Sequence, residues 1–229
     1  MEDIKKVKSI SLWIFIVPFI GVNACLILIT QFHSLFPNQE DVIGFTIPYL
    51  DGGASISRTA RVFPTYWIFK PAMFITSYLL IRYWLWNKNI INYFDPNSKH
   101  IKKIIFFGIS SAVLLTIHSI FLGIKFDYDL YKLFRRIVML FFIIFEIVAQ
   151  AYLVITLYKI KDKIQHHINF KFLIAKRILV TLLIIVALIS IPIISYDGNK
   201  AFKHALEWDY FLGVIFFYCL TFFMWKKTN

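Results

Sequence analysis

The sequence has few of the residues from which common catalytic and metal-binding motifs are built. It contains only two cysteines, Cys25 and Cys219, and both lie inside apolar runs, so no disulfide framework is expected. It also lacks a G-x-S-x-G elbow, an H-E-x-x-H pair and any Cys/His cluster with metal-ligand spacing. The sequence therefore predicts no metal site and no cofactor, and it assigns no catalytic residues.

Acidic residues are also scarce: Asp and Glu number 13 against 25 Lys and Arg, which gives a formal net charge of +12. An excess of this kind can indicate nucleic acid binding. Most of the basic residues here, however, flank alternate ends of apolar segments, which is the pattern of the positive-inside rule. We therefore expect cytoplasmic N- and C-termini, a basic inner rim that can hold anionic lipid headgroups, and no nucleic acid partner.

Long polar stretches are rare, because 59% of the residues are hydrophobic. Six apolar segments are close to the roughly 20 residues that a helix needs to cross a bilayer. They are 10–32, 63–86, 104–122, 137–158, 178–195 and 205–225. Each is apolar around most of its circumference, which favours helices over strands. The prediction is an all-α polytopic transmembrane bundle of six spans, a single domain over residues 1–229.

The longest stretch without such a segment is 47–64, IPYLDGGASISRTARVFP. Its Gly-Gly pair permits backbone angles closed to other residues, so we expect a tight folded loop. The positive-inside pattern places this loop on the outer side. Asp51, Arg58 and Arg61 are its charged residues.

Two stretches resemble one family. The outer loop carries IPYLDGGAS, followed by the aromatic-rich FPTYWIFKPAMF, and the last span opens with HALEWDYFLGVIFFYCLTFF, where Glu207 and Trp208 stand at the membrane edge. This arrangement over six helices is similar to the Frag1/DRAM/Sfk1 family of small membrane proteins. The resemblance implies a lipid-linked role. No catalytic residues are established for the family, so the resemblance assigns none to this chain. It marks Pro48, Tyr49, Glu207 and Trp208 as a shared site or structural element.

Ionisable residues inside spans are costly and are therefore functional candidates. Glu146 and Lys70 lie roughly 13 Å and 10 Å below the outer edge of their spans. Matching depths predict an ion pair between them, with Gln150 one turn from Glu146 and Asn23 at a similar depth. This network is either a polar cavity that takes a lipid headgroup or a structural tie between helices. A further alternative is that Glu146 stays protonated while Lys70 reaches outward to the membrane surface.

Further polar residues are expected around the mouth of such a cavity. The residues concerned are Arg58, Arg61, His118, His204, Glu207 and Asp209. An enzyme would use His118 or His204 as a base and Ser55, Ser57 or Ser119 as a nucleophile, with the arginines as a phosphate clamp. The alternatives are wetted interfacial histidines without a role and a heme held between His118 and His204.

The leading functional prediction is a non-catalytic protein that binds or organises membrane lipids through phospholipid headgroups, alone or as a subunit of an assembly. A lipid-remodelling acyltransferase or hydrolase in an outer-leaflet cavity is the alternative, and a small transporter ranks third. The 47–64 loop or the 125–136 loop, the latter expected to form a short interfacial helix, is a contact face for a protein partner. Richness in Ile, Lys and Phe favours a bacterial inner membrane over a eukaryotic endomembrane or plasma membrane.

Overall fold

The computed structural model describes residues 2–124, 128–195 and 198–226, and within them the chain is all-helical. The six long helices are α1 (Glu2–Gln31), α4 (Tyr66–Phe94), α5 (Ile101–Phe121), α6 (Asp129–Lys159), α8 (Phe170–Ser195) and α9 (Lys200–Met224). The short helices are α2 (Pro48–Asp51), α3 (Ile56–Ala60) and α7 (Lys161–Ile164). The six predicted segments thus all fall on long helices, which run further than the apolar runs do.

Five of the long helices, α1, α5, α6, α8 and α9, are long and apolar enough to cross a membrane. The helix α4 is 29 residues long but less apolar, since Lys70, Arg82 and Lys88 interrupt it. The chain is therefore compatible with an integral membrane protein, and a sixth span stays a prediction.

The long helices form a closed ring. Each packs against the next one in chain order, and α9 closes the ring on α1. At one end, Lys163 Nζ donates a hydrogen bond to the carbonyl of Phe94 at 2.8 Å, and the N–H of Asn169 donates one to the carbonyl of Met224 at 2.7 Å. The start of α1 lies at the same end. We call this the terminal end. The opposite end carries residues 47–64 and is called the loop end.

Small residues allow close contacts within the ring. A Cβ added at Gly21 of α1 would lie 2.6 Å from the Cβ of Ala72 in α4. One added at Gly108 of α5 would lie 2.5 Å from the indole ring of Trp84 in α4. Glycine at such contacts is typical of helices that pack in lipid, where shape and dispersion replace the hydrophobic driving force.

The outer surface of the ring is apolar. More than half of each side chain is exposed at Ile20 of α1, Phe106 of α5, and Ile178, Leu188 and Ile189 of α8. A soluble protein rarely exposes so continuous an apolar surface, whereas a lipid-facing one must.

The predicted interfacial helix over 125–136 is not a separate element. Residues 125–127 lie outside the described residues, and from Asp129 onward the segment forms the first turns of α6, continuous to Lys159. The prediction of a separate short helix was wrong because the helix does not break where the hydropathy changes.

Gly52 provides a test of how the loop is seated. Its φ of +61° is in the left-handed region, and a Cβ there would meet the carbonyl oxygen of Ala201 at 1.7 Å. We expect Gly52→Ala to lower the free energy of unfolding by about 2 kcal/mol or more, from backbone strain and displacement of the start of α9. Thermal unfolding in detergent measures this. Gly44→Ala is the control, because nothing lies within 4 Å of its added Cβ; equal losses in both variants would contradict this seating.

Candidate functional site

Residues 47–64 fold into two short helices joined by a turn that Asp51 closes. Its Oδ1 accepts hydrogen bonds from the hydroxyl of Thr46 at 2.5 Å and from the N–H of Gly53 at 2.8 Å, and its Oδ2 accepts one from the N–H of Ile47 at 2.9 Å. These bonds, with that from Thr46 the strongest, hold the pKa of Asp51 below its ordinary value. Asp51 therefore organises the loop and does not face the interior of the ring.

The start of α9 holds this loop in place. The indole N–H of Trp208 donates to the carbonyl of Ala54 at 2.8 Å, and the ring packs edge-on against Tyr49 with centroids 4.9 Å apart. His204 Nδ1 lies 2.9 Å from the carbonyl oxygen of Gly52. Pro48 is buried at the first turn of α2. The four loop and α9 positions Pro48, Tyr49, His204 and Trp208 thus meet in one docking contact.

Next to this contact, a cleft of about 700 Å³ opens at the loop end between the loop, α5, α6 and α9. Four basic side chains line it: Arg61 from the loop and Lys132, Arg135 and Arg136 from α6. Only Arg61 among them was predicted at the cavity mouth. Arg58 is exposed and is not among the residues that line the cleft.

His118 and Glu207 lie deeper in the same cleft. His118 is buried, its ring lies against the backbone carbonyl of Arg135, and its Nδ1 has no hydrogen-bond partner among the described residues. Arg135 Nε is likewise buried without a described partner. The carboxylate of Glu207 lies against the backbone N–H groups of Ile56 and Ser57. The cleft therefore contains one buried guanidinium N–H and one imidazole nitrogen that no described protein group engages.

Below His118 and Glu207 the cleft continues into a narrow, mostly apolar cavity of about 60 Å³. Phe69, Met73 and Phe142 are among its lining residues, and Glu146 and Tyr218 line it too. This is space for a few water molecules or for part of an apolar chain. The rim is cationic and the interior apolar, the combination that an amphipathic anion would match.

Glu146 is fully buried, and one side chain from each of three helices donates a hydrogen bond to its carboxyl group. Ser111 Oγ of α5 donates to its Oε2 at 2.5 Å, Gln150 Nε2 of α6 donates to its Oε1 at 3.2 Å, and the hydroxyl of Tyr218 in α9 donates to the same oxygen. Gln150 Nε2 also donates to the carbonyl of Val214 at 3.2 Å. The predicted Glu146–Gln150 contact is present.

The predicted ion pair between Lys70 and Glu146 does not form. Lys70 Nζ donates instead to the carbonyl of Ile120 at the end of α5, at 3.2 Å, and lies over the ring of Tyr66. Asn23 also stays outside the Glu146 network, because its amide donates to Phe19 and accepts from the hydroxyl of Tyr49 at 3.2 Å. Lys70, Asn23 and Glu146 lie at similar depths in their helices, but their side chains point in different directions and therefore do not meet.

Sequence reasoning missed Lys176. The charge pattern counts this residue among the basic residues of the cytoplasmic side, but its side chain is fully buried. Its Nζ donates to Thr221 Oγ1 at 2.7 Å and lies 3.9 Å from the centroid of the Phe217 ring. The neighbouring Arg177 lies over Tyr158 on another side of α8. The sequence carries no signal that separates the two.

The serines of the enzyme interpretation have other partners. Ser119 Oγ donates to the carbonyl of Leu115 at 2.7 Å, Ser55 Oγ accepts from the N–H of Arg58, and Ser57 Oγ lies 3.3 Å from Ser55 Oγ. Within the described ranges, no group of three His, Cys, Asp or Glu could hold a metal ion. No nucleophile–base contact is therefore formed among these residues.

Comparisons with known proteins assign the chain to no family. No protein-family model matches the chain, and no curated protein or solved structure is significantly similar to it. The similarity to the Frag1/DRAM/Sfk1 family therefore stays a prediction from its short motifs.

The role of Asp51 predicts a pH effect. Because its pKa is lowered in the folded protein, its stabilising bonds are complete above the ordinary aspartate pKa of about 3.9 and are lost as the pH falls through the folded value. We expect Asp51→Asn to lower the melting temperature at pH 7, and the gap to the wild type to narrow below about pH 4. Melting curves from pH 7 to pH 3 measure this. Glu40→Gln, the same charge change at an exposed position of the same connection, controls for net charge; a gap that is constant with pH would contradict the assignment.

Proposed function

We propose that the protein is a six-span integral membrane protein that binds the anionic headgroup of a membrane lipid in the cleft at the loop end, without chemical change to the lipid. The observation that carries this is the cationic rim of Arg61, Lys132, Arg135 and Arg136 above an apolar cavity. Guanidinium groups bind phosphate oxygens through paired charge-assisted hydrogen bonds. Arg135 Nε, which has no hydrogen-bond partner among the described residues, provides a further donor.

In this proposal α4 is the sixth span, because it packs between α1 and α5 in the ring of apolar helices. The terminal end faces the cytoplasm and the loop end faces outward, as the distribution of basic residues favours. The bacterial inner membrane is the membrane proposed. The cleft then lies at the level of the outer leaflet, where a headgroup reaches it from the side.

Cysteine accessibility tests the proposed orientation. Leu50→Cys and Lys161→Cys, each in a background with Cys25 and Cys219 replaced by alanine, place one exposed thiol at each end. We expect an impermeant thiol reagent to label position 50 in intact cells and position 161 only after permeabilisation. Labelling of position 161 in sealed cells would contradict the orientation.

Lipid retention tests the proposed site. We expect the purified protein to carry bound phospholipid, and the triple variant Arg61→Gln, Arg135→Gln, Arg136→Gln to lose most of it. Hydrogen bonds to charged groups contribute about 1.5–3 kcal/mol each, so each arginine lost should weaken binding at least roughly tenfold. Native mass spectrometry of both preparations measures the lipid.

Arg58→Gln is the matched control, because Arg58 is an exposed arginine of the same loop that does not line the cleft. It should retain wild-type lipid. Lipid-free wild-type protein would contradict the proposal. A changed cellular lipid profile in His118→Ala, with bound lipid retained, would favour the lipid-remodelling enzyme instead.

A further inference from the structure

The buried polar groups between the cleft and the terminal end form a chain that lipid binding does not use. It starts at Glu146, which lines the inner cavity and lies near the middle of α6, roughly 20 to 25 Å from its two ends. It ends at Lys176, roughly 9 Å from the start of α8. Two ionisable residues are therefore fully buried in one ring of helices, on the cleft side and the terminal side of its interior.

Hydroxyl groups connect the two. Tyr218 donates to Glu146, and its ring packs edge-on against that of Tyr83 with centroids 4.9 Å apart. The hydroxyl of Tyr83 lies 3.3 Å from Thr221 Oγ1, and Thr221 Oγ1 accepts from Lys176 Nζ at 2.7 Å. Each of these side chains is buried. Only the step between the two tyrosines lacks a direct hydrogen bond among the described residues, and there the two rings are in contact.

Two buried ionisable residues are not needed if these side chains only hold the helices together. A buried ion costs several kcal/mol unless it is paired, and neither Glu146 nor Lys176 has an oppositely charged partner within the described residues. Three hydroxyls, those of Tyr218, Tyr83 and Thr221, lie between a carboxyl and an amine and allow a proton to move from one to the other. The hydroxyl of Thr221 donates to the carbonyl of Phe217 at 2.9 Å and rotates away from it to pass its proton on. Each hydroxyl then loses one proton and gains one, so only Glu146 and Lys176 change charge.

Of the groups that face Glu146 and Lys176, all but the ring of Phe217 carry an exchangeable proton. Glu146 is faced by Ser111, Tyr218 and, across the cavity, by His118 and Glu207. Lys176 is faced by Thr221 and by the ring of Phe217. The cavity gives Glu146 a route for protons from the cleft, and Lys176 lies in the second turn of α8, close to the terminal end.

We propose that Glu146, Tyr218, Tyr83, Thr221 and Lys176 form a proton relay that connects the cleft with the terminal end of the bundle. The protein then conducts protons across the membrane, from the cavity to Glu146, through the hydroxyls to Lys176, and from there to water. This inference requires the membrane-spanning arrangement proposed above but not the binding of lipid in the cleft.

Proton flux into liposomes tests the relay. The full-length protein is reconstituted into vesicles that hold a pH-sensitive dye, and a potassium gradient with valinomycin drives protons inward. We expect the wild type to acidify the interior faster than protein-free vesicles do. Glu146→Gln and Lys176→Met should each slow this by one to two orders of magnitude, because a positioned proton carrier typically contributes about 10²-fold or more.

Matched variants separate the relay from general damage. Thr221→Ser keeps the hydroxyl and should retain the flux, whereas Thr221→Val keeps the shape and should abolish it. Tyr218→Phe likewise removes only a hydroxyl. Lys70→Met, which removes a lysine bound outside the ring interior to Ile120, should leave the flux unchanged. All variants are compared at equal amounts of monodisperse protein.

The outcomes are distinct from those of the lipid experiment. A wild-type flux no faster than that of empty vesicles, or equal fluxes in Thr221→Val and Thr221→Ser, would overturn the relay. Loss of flux in Thr221→Val with bound phospholipid retained would support the relay separately from the cleft. Bound phospholipid without any flux would leave lipid binding standing and refute the relay alone.

Discussion

The attachment of the loop to α9 through Trp208 is the contact on which the cleft depends. One indole hydrogen bond to Ala54 and one edge-on contact with Tyr49 join residues 47–64 to the helix that closes the ring. Each interaction contributes only about 1 kcal/mol by itself. Their position matters more than their strength, because the same loop carries Arg61 to the rim and Ile56 and Ser57 to the carboxylate of Glu207. A loop attached elsewhere would leave the cleft without one wall.

The interior of the ring obeys a second constraint, which is that lipid offers no partner to a polar group. Glu146 therefore takes its donors from α5, α6 and α9, and in doing so it fixes the rotation of three helices about their axes. Exchanging Ser111 for an apolar residue would leave the buried Oε2 of Glu146 without its donor, at a cost of about 1–3 kcal/mol, whereas Oε1 has two donors. The network thus specifies the ring, whatever else it does.

The long helices could be predicted from the sequence, because a run of about 20 apolar residues is compatible with few structures other than a helix. The sequence was insufficient for their ends, since hydropathy marks only the apolar part of a helix: α1 already begins at Glu2 and α6 at Asp129. For the site, depth along the axis could be estimated, but the direction in which a side chain points could not. Lys70 and Glu146 were predicted to form an ion pair because their depths match, but they do not meet. Lys176 was counted among the basic residues of the cytoplasmic side, and its side chain is buried.

The described charges divide by depth, and this division bears on what can enter. Four basic side chains and one carboxylate, Asp41, line the wider part of the cleft, and their net positive charge raises the local concentration of anions. The carboxyl groups of Glu207 and Glu146 lie progressively deeper. An anion held at the rim would therefore meet increasing repulsion from any ionised carboxylate below it, and its charged part stops at the level of His118. A proton is not subject to that barrier, because the same carboxyl groups accept it. In the function proposed above, an anionic headgroup would therefore stay at the mouth, and the narrow cavity beneath it would admit only apolar chains and protons.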